Sequence, residues 1–295
     1  CEVRVVIEHV ELVVLANSFK EGGRCLAGKT VITGRWIRPI SDRTKKGELN
    51  NEEYSDPQGV EYKQLDILRI PLKISCPEFY QPENYLFDHR RIKRIGQYPF
   101  EQLENIVDRP NSVWLQDSRQ ADRLCENTLQ DAPPNQSLLL IKPERFSIRK
   151  IGSPPKFRAV FVYNEFEYDL SITDPSIYHQ LKYKKGDLIV NVRKPVFLCI
   201  SLGQIWNGYS FKLVSSIIAD GDLLTSELEL HQNKDIMRSK AHHPYYVLES
   251  DLNKYDPEYY GSESDYQAEV YDEINSELRS DEMYNYYFGD DEFEY

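Results

Sequence analysis

Between Leu12 and Ser41 the chain reads LVVLANSFKEGGRCLAGKTVITGRWIRPIS, and this stretch narrows the possible folds more than any other. Leu12, Val13, Val14 and Leu15 form an apolar run of strand length, closed by Asn17-Ser18. Gly22-Gly23 permits a tight, left-handed turn, because glycine carries no Cβ to clash there. A second apolar segment follows (Cys25, Leu26, Ala27, then Val31 and Ile32), Thr33-Gly34 turns the chain again, and Trp36-Ile37 begins a third strand that stops at Pro39. Three short strands joined by two tight turns make a meander, which fits a small barrel or sandwich. Asn17, Ser18, Lys20 and Arg24 fall on its loops, and Arg38 lies beside Trp36. Donors, cations and an aromatic ring gathered at strand ends suit a ligand-binding β-surface, and equally an ordinary β-core with a wet rim.

Charge divides the chain. Residues 221–295 hold 20 acidic and 5 basic side chains, a net of −15. Residues 1–220 hold 28 and 31, a net of +3. Eleven of the 21 tyrosines lie in 241–295, with almost no aliphatic residues around them. Such a segment buries too little apolar surface to offset chain entropy, so 221–295 reads as an acidic, disordered tail. Within it Tyr266, Val270, Ile274 and Leu278 recur every fourth residue, the spacing of one amphipathic helix offered to a protein partner. No apolar run reaches the roughly 20 residues that cross a bilayer. The five cysteines (1, 25, 76, 125, 199) are scattered and odd in number, with no CxxC pair, which suggests reduced thiols and a cytoplasmic setting. No zinc set, cofactor motif or catalytic constellation is called for. Gly22-Gly23 lacks the GK[ST] continuation of a nucleotide-binding loop.

The rest of the body continues in short strands. Residues 42–63 are polar and read as a long surface loop, and 65–74 as a strand placed at an edge or bulge by Pro71. Helical spacing of Phe100, Leu103, Ile106 and Val107 predicts a short amphipathic helix over 99–107, with a second over 118–130 around Leu124 and Leu129. A linker at 131–136 precedes a new strand series: 137–141, the alternating 145–151, a hairpin across Asn164-Glu165, a short helix opened by Asp174-Pro175, and three strands between 187 and 218. The expected fold class is mainly β with short helices, divided into 1–136, 137–220 and the tail 221–295.

LANSFKEGGRCLAG followed by GRWIRPIS, then QPENYLFD (81–88), LSITDP (170–175) and SLGQIWNGYSFKLVSSII (201–218), resemble in order the segments of a bacterial dual OB domain family. The resemblance spans about residues 11–218. It implies two small oligonucleotide-binding-type barrels and a nucleic-acid role, and it carries over no catalytic residues. OB barrels bind single strands by stacking bases on aromatic rings and tracking the backbone with cations. On that reading the candidate nucleic-acid-binding residues are Asn17, Lys20, Arg24, Trp36, Arg38, Asn84, Tyr209 and Lys212. The bland alternatives stay open: Trp36 and Trp206 as core residues, Arg24 or Arg38 paired with Glu83 or Asp66. The expected function is single-stranded DNA or RNA binding by an accessory protein. The competitors are a protein-interaction module of a multi-component bacterial system and, more weakly, an enzyme acting on nucleotides through the 17–24 loop and the 81–84 segment.

Overall fold

A computed structural model describes residues 8–20, 22–89, 92–114, 122–152, 155–221 and 223. The acidic segment from 224 onward, with the Tyr266–Leu278 motif, lies outside the described residues. No helix among those described is long and apolar enough to cross a membrane.

The predicted meander is present. Strands β1 (Glu8–Lys20), β2 (Gly23–Thr30) and β3 (Trp36–Ile40) run antiparallel, and Gly22 turns the first corner at φ +77°. β1 is long enough to serve two neighbours. Its second half pairs with β2 and its first half with β4 (Asp66–Ser75). β5 (Asn84–Phe87) then pairs parallel with β3 and antiparallel with β4, so the order β1-β2-β3-β5-β4 returns to β1 and closes a five-stranded barrel. β6 (Lys93–Gln97) adds to the free edge of β4. A bulge between Val14 and Ala16 bends β1 at the closure. Opposite it, Gly28 admits the backbone so closely that a Cβ there would stand 1.9 Å from the Val13 carbonyl oxygen. Pro71 sits within β4 beside a second bulge, at Leu72/Ile74, where a missing N–H is tolerated.

Residues 42–63 are more than a surface loop. Asn50 caps α1 (Asn51–Tyr54) in a capping box with Glu53. Leu49, Tyr54 and Tyr62 fill the barrel together with Leu12, Leu26, Ile37, Leu68 and Phe87.

The stretch expected as two helices is shorter in helix. Residues Phe100–Asn105 make a two-turn 3-10 helix that buries Leu103. Arg123–Cys125 form β7, and only Glu126–Asp131 is helical (α2). The second sheet comprises β8 (Leu138–Ile141), β9 (Arg145–Ile151), β10 (Lys156–Tyr163) and β11 (Phe166–Ile172), followed by α3 (Pro175–Leu181) and β12 (Leu188–Val192), β13 (Val196–Leu202) and β14 (Tyr209–Ala219). Its order is β12-β9-β10-β11-β14-β13-β8, with β11 and β14 parallel and β7 paired to the start of β14. This repeats the strand plan of the first barrel: a three-stranded meander, a short helix, and a parallel return. No ladder joins β12 to β14 among the described residues, so this sheet is curled and not closed by hydrogen bonds.

Both sheets belong to one compact unit. Phe146, Ile148, Phe157, Ala159, Phe161, Leu170 and Val190 fill the second sheet's interior. A third core lies between the sheets: Val13, Leu15, Ala27 and Trp36 on the barrel's outer wall meet Leu138, Leu140, Phe197, Cys199 and Ile218. β8 and β13 are therefore apolar on both faces, which explains the unbroken runs LLLI and VFLCI in an otherwise alternating sheet.

Candidate nucleic-acid interface

The barrel's outer wall over β1–β3 presents most of the residues expected to meet a ligand, and the second sheet covers it. Alternation along β3 points Ile37 into the barrel and Trp36 and Arg38 out of it. Trp36 is only 4% exposed. Its indole Nε1 donates to Asp108 Oδ2 at 3.1 Å, and Lys29 Nζ lies 5.2 Å from its ring while bonding the other Asp108 oxygen at 2.7 Å. The stacking expectation for Trp36 is corrected on this ground: the ring has no face open to a base, and it packs as a core residue.

Arg38, also 4% exposed, does what the alternative allowed and pairs with Glu83, Nη2 to Oε1 at 3.2 Å. Its Nη1 donates to Asn84 Oδ1 at 3.3 Å and its Nη2 to Ser137 Oγ at 2.9 Å. Glu83 accepts in addition from the Ser137 hydroxyl and, at 3.2 Å, from the Ser137 N–H. Asn84 donates to Gln81 Oε1, and Gln81 donates to the Leu202 carbonyl at 3.0 Å. Asn17 donates to the Tyr62 carbonyl at 2.7 Å, and its N–H meets Ser216 Oγ at 3.2 Å. Arg38, Asn84 and Asn17 are thus a polar seam joining the sheets, not an open surface. Buried polar groups are normally partnered, and here the two halves supply most of each other's partners, while Asn17 Oδ1 and Arg38 Nε have none among the described residues.

Arg24 is buried as well. Its guanidinium carbon lies 4.7 Å from the Phe19 ring centroid and 5.0 Å from that of Tyr54, and Nη2 bonds Glu61 at 3.1 Å. Lys20 is half-buried with Nζ on the Lys46 carbonyl at 2.5 Å, and burial lowers its ammonium pKa. Asp174, read as a helix opener, caps α3 through Ser176 and accepts from Ile217 N–H at 2.9 Å; burial raises its carboxyl. Tyr209 is half-buried, with the Arg123 guanidinium 5.8 Å from its ring.

Lys212 is 1% exposed, and burial pulls its ammonium down to about 8, opposed by the nearby Asp122 charge. A folded-state value below the unfolded one of about 10.4 means that the unfolded chain binds more protons between those limits, so stability rises with pH there. Relative to a Lys212→Met variant, the wild-type chain is expected to gain about 2 kcal/mol between pH 7.5 and 10. Urea unfolding of both at each pH measures this, and a constant difference would contradict it.

The second sheet also has an outward face on β9–β11. Alternation along β9 and β10 turns Phe146, Ile148, Phe157, Ala159 and Phe161 inward. Arg145, Ser147 and Arg149 on β9, and Lys156, Arg158 and Val160 on β10, point outward and are half-buried or exposed. Glu167 and Asp169 on β11 are the acidic residues of that face. The loop after α3 runs into β12 at its rim. It holds Lys182, Tyr183, Lys184 and Lys185, with Tyr183 74% exposed and Lys182 Nζ 4.7 Å from its ring. Buried Lys150 ties the loop down, donating to the carbonyls of Lys184 and, at 3.1 Å, Gly186. Sequence reading did not single out these cations. The signal was there in the alternation of RFSIRKI and KFRAVFV, which puts Arg145, Arg149, Lys156 and Arg158 on the outward face and only Lys150 on the inward one.

Two solved structures match the chain at low similarity. One, described as "Molecular basis for abrogation of activation of pro-inflammatory cytokines", has 11% identity, covers 75% of this chain and 97% of its own, and gives a TM-score of 0.28. The other, "Structural mimicry for functional antagonism", has 12% identity, covers 75% and 96%, and gives 0.27. No curated protein matches the chain. The family model for the dual OB-containing domain matches residues 10–217, nearly the whole span of the barrel and the second sheet, and the chain therefore belongs to the dual OB-containing domain family.

Proposed function

We propose that this protein binds nucleic acid, single strands in preference to duplex, through the outward face of β9–β11 and the lysine loop that borders it. The observation that carries this reading is the set of four cations on one sheet face (Arg145, Arg149, Lys156, Arg158), together with an exposed tyrosine among lysines in the loop that leads into β12, the strand paired with β9. In OB folds the second and third strands of the meander make the oligonucleotide-binding face. β10 and β11 hold those places in the second sheet. Cations there neutralise phosphates, and Tyr183 supplies a ring on which a base can stack, a contact worth roughly 1–3 kcal/mol. Half-buried Lys20 and Tyr209 remain candidates for peripheral contacts.

The test is fluorescence anisotropy of labelled single-stranded DNA and RNA with the full chain across a salt series. Binding is expected to weaken with salt, since each phosphate contact releases counterions. Lys184→Glu/Lys185→Glu is expected to weaken it at least about tenfold at low salt with unchanged unfolding temperature, because two contacts are lost and two repulsions gained. Salt-independent binding, or no effect of the reversal, would overturn the reading. A protein-interaction role is favoured by a different observation: Val31 and Ile32 at the β2–β3 turn are solvent-exposed, Ile32 at 90%.

A further inference from the structure

Arg149 and Arg158 face each other directly across β9 and β10. Two guanidiniums in register repel, and like charges directly opposite destabilise a sheet. One carboxylate reconciles them. Asp169 on β11 accepts from Arg158 Nε through Oδ1 at 2.9 Å and from Arg149 Nη2 through Oδ2. The two arginines are not held alike. Arg158 has further fixed partners, Nη1 on Ser171 Oγ at 2.8 Å and Nη2 on the Asp169 carbonyl at 2.6 Å. Arg149 has the carboxylate at one nitrogen, and its Nε is buried without a hydrogen-bond partner. The trio keeps a net charge of +1, and its one under-satisfied donor belongs to the arginine whose fork is least committed. A guanidinium fork matches the paired oxygens of a phosphate as well as those of a carboxylate.

We infer that Arg149 is a phosphodiester seat, and that Asp169 occupies this seat as an internal counter-ion when no nucleic acid is bound. The inference rests on the nucleic-acid reading above and adds to it the backbone contact and the group that competes for it. The ligand's phosphate takes over Arg149, while Arg158 stays with Asp169 and Ser171 and keeps the displaced carboxylate from being left unpaired. The face therefore opposes its own ligand. Asp169 holds a positive group in place and, once a phosphate arrives, repels it.

Two variants of the full chain test this with labelled oligo-dT in a salt series. Asp169→Asn is expected to bind about fivefold more tightly at low salt, because a like charge next to the phosphate is gone. Arg149→Met is expected to bind more weakly and to lose about 0.7 from the magnitude of the salt slope, the share of one phosphate on a single strand. In the double variant the gain from Asp169→Asn is expected to vanish. Should Asp169→Asn fail to fold, the slope change in Arg149→Met decides alone. If both variants bind as wild type does while the Lys184→Glu/Lys185→Glu reversal still weakens binding, the seat at Arg149 is refuted and the wider face survives. If the wild-type chain binds no oligonucleotide at low salt, the nucleic-acid reading itself falls, and this inference with it.

Discussion

Replacing Glu83 by alanine is expected to destabilise the protein by roughly 3–5 kcal/mol, the cost of removing one partner from a buried ion pair. The magnitude follows from what the carboxylate holds. It neutralises Arg38, whose side chain is 4% exposed, and it accepts from both the hydroxyl and the N–H of Ser137. Alanine would leave a buried guanidinium with only the neutral Asn84 and Ser137 oxygens, and a buried N–H with no acceptor. An unpaired buried charge costs more than the pair contributes, so Glu83→Ala/Arg38→Met should recover much of the loss. Urea unfolding of the three variants measures this. A loss below about 1 kcal/mol for the single variant, the size typical of exposed pairs, would show that water reaches the seam.

Trp36→Ala carries the second large effect, about 3–5 kcal/mol, the range for emptying a buried aromatic site. The indole fills the core between the sheets beside Leu140 and Phe197, and its N–H satisfies Asp108. Asp108 also binds Lys29 and the Leu140 N–H at 2.8 Å, so it keeps partners, and the cost is chiefly the cavity. This variant separates the two roles open to the residue. A lowered unfolding temperature with wild-type oligonucleotide affinity in the folded protein is expected. Unchanged stability with affinity reduced tenfold or more would return Trp36 to the binding surface.

Much of the fold was readable from short-range chemistry. Gly22 and the polar breaks around it gave away the hairpin, Asp174-Pro175 marked the start of α3, and alternation marked β9 and β10. The misreadings share one cause. Phe100–Val107 has helical spacing because Leu103, Ile106 and Val107 face the core between the sheets, not because a regular helix forms there. Residues 42–63 look polar throughout, yet Leu49, Tyr54 and Tyr62 go inside because the barrel needs filling from that end. The candidate site suffered most. Trp36 and Arg38, next to glycine turns, look like rim residues; what covers them arrives about a hundred residues later with Ser137 and Leu138. No local pattern records a neighbour that distant. Arg149 and Arg158 were visible as outward residues, but their shared hold on Asp169 depends on strand register, which alternation alone does not supply.

The core shared by the two sheets also limits how such a chain can change over generations. Val13, Leu15 and Trp36 are as much a part of the second sheet's environment as of their own barrel's. A homologue could not acquire a new first barrel by recombination near residue 136 unless the incoming copy carried a matching wall. A volume change at Phe197 or Leu140 must be answered on β1 or β3. The two OB units should therefore be inherited as a pair, with their facing residues drifting in step.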